Sequence, residues 1–365
     1  MLDAASSQDE ITAILFEQAD RLLAEHLTPD CLNAADKGEF PAKAWGAIVD
    51  AGLMLTLVAE EKGGAGLGAT AGARLIRSSA YHALPAPFAE TLIAQVLWTE
   101  AGGAVVEGSI TIAHTDGARL AGPANGRVLS ARIERAPWAE SADHVLLLAA
   151  DDRGESHLVL LPSGNHAAVS RRNLANEPRA SFVVNAAPIG NDTVLPAPAM
   201  LRDADGLLAF GAFARAHQMV GAMERCLTLA LDFANERKQF GKPIGRFQAV
   251  QHMLAEAAGE QAVALAAAEL ATRAWNSKAF PSAVAIAKSR AGEAAGKVAE
   301  VCHQVHGAMG FTHEHSLHFF TRRLWSWRDE FGHEGFWQER LGRDICKRGG
   351  EALWPYLAAL RGGSR

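Results

Sequence analysis

The chain has 365 residues, 49% of them apolar and 21% charged, which is enough for roughly two domains, or one composite fold, around a sizeable core. Thirty-five basic against 41 acidic residues give a net charge of −6, and that balance speaks against a binder of nucleic-acid backbone. No run approaches the roughly 20 uninterrupted apolar residues of a membrane span. The polar start from Met1 to Glu10 carries no basic and apolar signal pattern. Cys31, Cys226, Cys302 and Cys346 form neither a CxxC pair nor a disulfide framework, so the expectation is a cytoplasmic protein.

The first hundred residues read as helical. Ile11, Ile14, Leu15, Leu22 and Leu23 recur at helical spacing. Phe40-Pro41 opens a further helix that places Trp45, Ile48, Val49 and Leu53 on one face. The glycine-rich stretch from Glu60 to Gly68 is a loop, and Pro85 and Pro87 interrupt the next helical run. From about Gly108 the pattern changes to short apolar segments: Ile110–Ile112, Val128-Leu129, His144–Ala149, His157–Leu161 and Ser181–Val184. Gly, Asp, Pro and Asn separate them. This predicts a small antiparallel β domain ending near Ala197.

Beyond Leu201 the chain is helical again. Leu207–Asn235 reads as one long segment, interrupted by a Gly-Lys-Pro-Ile-Gly loop at 241–245. The alanine-rich run Phe247–Trp275 follows, then a helix opened by Pro281 and reaching His306, then a fourth segment ending near Leu360. Alanine faces let helices approach closely. The expected fold is therefore mixed and mainly α. It comprises an N-terminal helical domain (1–107), a small middle β-barrel-like domain (108–197) and a C-terminal antiparallel four-helix bundle (198–365).

Two segments are more specific. One is Glu236-Arg237-Lys238-Gln239-Phe240-Gly241-Lys242-Pro243-Ile244 with Phe247-Gln248-Ala249-Val250-Gln251-His252. The other is Gln304-Val305-His306-Gly307-Ala308-Met309-Gly310-Phe311-Thr312. Together they closely resemble the C-terminal domain of the acyl-CoA dehydrogenase family. Trp45, Gly52-Leu53 and the run Glu60–Gly66 resemble that family's N-terminal domain. The resemblance implies an FAD enzyme acting on acyl-CoA thioesters, with FAD between the β domain and the bundle and its adenosine end held partly by a neighbouring subunit. Arg237 then matches the arginine that meets the neighbour's pyrophosphate, where a planar fork of donors suits phosphate oxygens. Gln239, Phe240 and Gln248 match further contacts on that side. Gln304, Gly307 and Ala308 match a Gln-x-x-Gly-Gly segment in which small residues let the chain approach the dinucleotide. Ala308 departs from the second glycine.

In this family a carboxylate removes the α proton while the β hydrogen leaves as hydride to the flavin. Burial suits that base by raising its pKa. In most relatives the glutamate directly precedes a glycine. An ungapped count puts Phe331, before Gly332, in its place. Glu330 is the nearest candidate base, but a one-residue shift turns a helical side chain by about 100°. Other relatives carry the base on the first helix of the C-terminal domain. The matching stretch Leu207–Phe213 has no carboxylate, with Asp203 and Asp205 before it and Glu224 after it. The flavin-facing Thr-Glu-Pro…Gly-Ser-Asp segment is absent from the corresponding region, Ile112–Gly117, and Trp138 sits out of register with the family's tryptophan segment.

This pattern is most like the degenerate subunit of the two-gene, heterotetrameric steroid-CoA dehydrogenases, and the tail from Phe319 to Gly332 resembles that group. Two functions follow as expectations. One is a catalytic dehydrogenase subunit using Glu330. The other is a non-catalytic subunit completing the FAD site of a partner chain, in a homo-oligomer or a heterotetramer. An electron-transferring flavoprotein is the acceptor the resemblance implies. His303, His306, His313, His315 and His318 fall within sixteen residues, yet paired Glu-x-x-His motifs on separate helices are missing, so no metal is expected.

Overall fold

The computed structural model describes residues 2–115, 117–164, 168–201 and 205–362. Five helices come first: α1 (Leu2–His26), α2 (Pro29–Asp36), α3 (Ala42–Asp50), α4 (Ala69–Tyr81) and α5 (Phe88–Glu100). On α1, Phe16, Ala19 and Leu23 are buried at helical spacing and pack towards α3. The glycine-rich loop opens with a single 3₁₀ turn at Glu60–Lys62. The chain then doubles back so tightly that a Cβ on Gly64 would lie 2.1 Å from the Val58 carbonyl oxygen.

Helix α5 is buried from Phe88 to Thr99, so it is apolar all round rather than on one stripe. Two of its polar side chains hold the segment that leads into the next strand, β1 (Ile110–Ile112). The Thr91 hydroxyl donates to the Ile110 carbonyl and accepts from the Ile110 N–H, both at 3.0 Å. Gln95 brackets Val106 in the same way, donating to its carbonyl and accepting from its N–H. Pairing each buried polar atom removes the desolvation penalty it would otherwise carry.

The sheet continues with β2 (Arg119–Ala121), β3 (Val128–Pro137), β4 (His144–Asp151), β5 (Ser156–Pro162), β6 (Val169–Arg172), β7 (Pro178–Pro188) and β8 (Val194–Pro196). The strand order is β6-β7-β3-β2-β4-β5-β8, with β1 also on β4. The antiparallel expectation is corrected here, because β1 and β2 both pair with β4 in parallel. Each is three residues long, and they cover one edge of the longer β4 in succession, Ile110 opposite His144 and Arg119 opposite Ala150. Leu129, Ile133, Val145, Leu147 and Val159 fill the core of this sheet. Register breaks in β3 lead to a tight turn in which Trp138, at φ +58°, is buried and bonded to the Pro178 carbonyl.

The C-terminal part holds α6 (Gly206–Glu236), a hairpin of β9 (Lys238–Gln239) and β10 (Lys242–Pro243), α7 (Gln248–Arg273) and α8 (Phe280–His306). It ends with α9 (Leu317–Asp329), α10 (Glu334–Arg348) and α11 (Leu353–Gly362). Side-chain contacts fix the directions. His217 near the start of α6 meets Thr272 at the end of α7, so these two run antiparallel. Phe213 meets Phe280, and Phe233 meets His306, so α6 and α8 run parallel. His303 of α8 meets Thr321 of α9, while Lys288 meets Arg328, so that pair is antiparallel. Ala264, Ala268 and Ala271 of α7 and Ala283, Ala287 and Ala291 of α8 are buried, giving the close alanine seam that their composition predicts.

The single fourth segment expected to run to Leu360 is corrected to three helices. The chain turns after α9 through Phe331 at φ +53° and Gly332 at φ +90°, and again at Gly349 at φ +84°. Left-handed backbone ends a helix, and glycine adopts it without a Cβ penalty. By its internal contacts the chain forms two compact units. The first is residues 1–26, 33–72 and 85–211, and the second is residues 27–32, 73–84 and 212–365. No described helix is long and apolar enough to cross a membrane.

Candidate functional site

The residues singled out for a dinucleotide gather at one end of the bundle in the second unit. Helix α6 ends at Glu236, and the next residues fold back as a two-residue hairpin in which Gln239 pairs with Lys242. The Arg237 carbonyl accepts from Ile244 N–H at 2.8 Å, which closes the loop. Phe240 at φ +52° and Gly241 at φ +82° form its tip. The tip is open: Phe240 is 92% exposed, its ring meeting that of Phe247 edge-on at 6.1 Å. Arg237, Gln239 and Gln248 are exposed as well.

The second segment lies beside it, because Phe233, one turn before Arg237, stacks on His306 at 4.7 Å. Helix α8 ends there. Gly307 has φ +59° and ψ −139°, backbone that a side chain strains, and an added Cβ would meet nothing within 4 Å. Its glycine is therefore demanded by the turn and not by packing. Gln304, Gly307 and Ala308 are exposed. Among the described residues, the side chains of Arg237, Gln239, Gln248 and Gln304 have no hydrogen-bond or ion-pair partner. Such a set of open donors beside a chain turn without side-chain bulk fits an anionic dinucleotide.

Glu330 has a different setting. It follows the last residue of α9, and its Oε2 accepts from Arg215 Nε at 2.7 Å. Both side chains are out of solvent, Arg215 at 1% and Glu330 at 9% exposure. Arg215 also donates to the side-chain amide oxygen Oε1 of Gln218. Its guanidinium lies over the rings of Trp327 and Phe331, at 5.9 and 5.5 Å. Phe331, the residue in the family's glutamate position, thus spends its ring on a cation. Lys288, wholly buried on α8, donates to the carbonyls of Arg328 and Gly332, each at 2.7 Å. Burial pushes its ammonium down to about 7, against the pull of Glu330 and Glu334. Arg328 pairs with Glu334 beside it.

The Arg215 guanidinium occupies the carboxylate oxygen that a base would have to offer to substrate. A buried ion pair broken on one side also leaves an uncompensated charge. The Glu330 cluster is therefore a closed set. Sequence reasoning missed Arg215 and Lys288, although each follows directly on an apolar helical run, Leu207–Ala214 and Ala283–Ala287. Of the other carboxylates considered, Asp203 lies outside the described residues. Among the described residues the only group of three or more acidic, histidine or cysteine side chains with metal-ligand spacing is Asp151, Glu155 and His157, on the β4–β5 hairpin. The C-terminal histidines are not such a group.

The model of the acyl-CoA dehydrogenase C-terminal domain matches residues 201–328, and that of the acyl-CoA dehydrogenase N-terminal domain matches residues 9–100. The acyl-CoA dehydrogenase IpdE2 of Mycobacterium tuberculosis is 27% identical over 85% of this chain and 89% of its own length. The acyl-CoA dehydrogenase FadE34 of the same organism is 29% identical over 87% of this chain and 46% of its own. Among solved structures, the Tcur3481-Tcur3483 steroid ACAD has a TM-score of 0.83 at 24% identity, covering 93% of this chain and 99% of its own. The ChsE4-ChsE5 complex of Mycobacterium tuberculosis has a TM-score of 0.81 at 22% identity, covering 92% and 97%. These two share the fold. With both family domains matched in order, the chain belongs to the acyl-CoA dehydrogenase family.

Proposed function

We propose that this chain is the site-completing subunit of a two-chain, FAD-dependent acyl-CoA dehydrogenase, and that the α,β-dehydrogenation of the acyl-CoA thioester takes place on its partner. FAD, when bound, supplies the acceptor for the β hydride. This chain's part is to bind and orient. Arg237 offers a fork of donors to the pyrophosphate, Gln239, Gln248 and Gln304 offer amides around it, and Gly307 with Ala308 leaves room for the dinucleotide to approach the backbone. Phe240 is an apolar surface for the partner's side of the site. The three-part division at 107/108 and 197/198 belongs to this reading.

The observation that carries it is the contrast between the two sets. Every residue proposed for FAD is exposed and open, while Glu330, the one candidate base, is held by Arg215 inside the protein. A self-sufficient enzyme using Glu330 would first have to break that pair. Support for a steroid-derived acyl group comes from one structural neighbour being a steroid ACAD, and support for a two-chain assembly comes from another being a complex of two different chains. An electron-transferring flavoprotein is the proposed electron acceptor, and the cytoplasm the proposed location.

The test is co-expression with a second, motif-complete acyl-CoA dehydrogenase chain, with flavin counted per assembled complex. Arg237→Ala is expected to strip the flavin while the two chains still co-purify. Full flavin retention in that variant would overturn the reading.

A further inference from the structure

Beneath the segment proposed to meet the dinucleotide lies a group of imidazoles that the proposed function does not use. His303 and His306, on the last turns of α8, are 7% and 3% exposed. Nε2 of His303 lies 3.0 Å from the Thr321 hydroxyl, which itself donates to the Leu317 carbonyl. Nδ1 of His306 donates to the Cys302 carbonyl at 2.7 Å. The other nitrogen of each ring, Nδ1 of His303 and Nε2 of His306, is buried with no partner among the described residues. One bonded nitrogen and one without a partner is the arrangement that suits a neutral imidazole.

Their surroundings are aromatic. His303 is sandwiched between Phe311 at 4.4 Å and Trp325 at 5.7 Å, nearly parallel to both. His306 lies on Phe233 and meets His315 at 4.4 Å. The 307–311 segment rests directly on the pair: a Cβ on Gly310 would fall 2.9 Å from His306 Cβ and 3.2 Å from His303 Nδ1.

We infer that His303, His306 and His315, with His318 beside them, form a proton-operated clasp: neutral, they seat the 307–311 segment, and protonated, they repel one another and unseat it, releasing the dinucleotide. The inference rests on the proposed function for its ligand. Burial and the neighbouring imidazoles hold His303 and His315 below the usual histidine range, and burial does the same for His306. No carboxylate acts on any of the three. The remaining titratable groups on these elements do not supply a counter-charge. The Cys226 and Cys302 thiols are pushed up and stay neutral, Arg322 and Arg323 on α9 are cations, and Asp232, Glu236, Glu300, Glu314 and His313 are exposed. Because the folded pKa lies below the unfolded one, the clasp is intact above about pH 6.5 and weakens as pH falls below it.

The experiment is flavin retention by the co-expressed complex from pH 8 to pH 5, beside imidazole titration by NMR on the same complex. The expected result is full retention at pH 8 and loss below about pH 6. His303→Phe, which keeps the ring stack, and His315→Gln, which changes a half-buried ring, should each move the midpoint of loss down by about half a pH unit. Retention down to pH 5, midpoints unmoved in both variants, or imidazoles titrating at or above the ordinary range would overturn the clasp. Flavin that is indifferent to Arg237→Ala at pH 8 would instead overturn the function on which it rests.

Discussion

The two ends of the bundle treat charge in opposite ways. At the α6–α8 end, Arg237 stands open to solvent beside exposed amides and exposed aromatic rings. At the turn after α9, Arg215, Glu330 and Lys288 are buried, and each bonds inside the protein. Desolvation is expensive, so buried charges are kept paired or hydrogen-bonded, whereas an exposed cation costs the fold almost nothing and stays available for something outside the chain. The closed set is architecture, and the open set is the surface proposed to bind.

Breaking the closed set should give the largest effect. Arg215→Ala leaves Glu330 buried without its cation, and a loss of about 3–5 kcal/mol in stability is expected by denaturant titration. Replacing both partners, as Arg215→Met with Glu330→Leu, should recover most of that loss, since apolar groups of similar size remove the unpaired charge. A single variant as stable as the parent would mean that the pair opens readily, and the contrast between the two ends would fail.

Removing the open cation should leave stability untouched and strike binding. Arg237→Ala forfeits charge-assisted hydrogen bonds of about 1.5–3 kcal/mol. That is roughly a 10- to 150-fold weaker hold on flavin, measured by equilibrium dialysis of the assembled complex.

A pH series sharpens the comparison further. Lys288 sits at about 7 in the folded chain and near 10.4 when unfolded. Between those values the unfolded chain holds more protons, so folding stability should rise with pH from about 7 to 10. Lys288→Met should flatten that rise, as read from thermal melts across the range. The smallest effect on turnover is expected from Glu330→Gln, although this variant also loses stability because it leaves the buried Arg215 cation unpaired. If Glu330 is not the base, turnover per assembled complex should change by no more than about twofold, whereas loss of general-base catalysis costs 100-fold or more.

The open surface was legible in the sequence because it is made of contiguous residues. Arg237 to Gln248 and Gln304 to Phe311 are each a single motif, and local backbone rules place Gly241 and Gly307 at turns. The closed set joins residues 115 positions apart, Arg215 and Glu330, and spacing along the chain holds no record of that distance. A signal was nevertheless present: an arginine that follows directly on the apolar run Leu207–Ala214 has to find an anion in the core. The parallel pairing of β1 and β2 with β4 was hidden for a different reason. Three-residue strands carry too little alternation to fix a partner or a direction, and the edge of β4 decides both. Likewise, the helical periodicity of the tail runs on through Phe331, and only Gly332 hints at the turn there.

The most direct test of the central claim is the visible absorption spectrum of this chain purified alone and again after co-expression with a motif-complete acyl-CoA dehydrogenase chain. The account predicts no stoichiometric flavin in the chain alone and a flavin spectrum, bleached by acyl-CoA, in the complex. A chain that by itself carries one flavin per subunit and is bleached by acyl-CoA would contradict it.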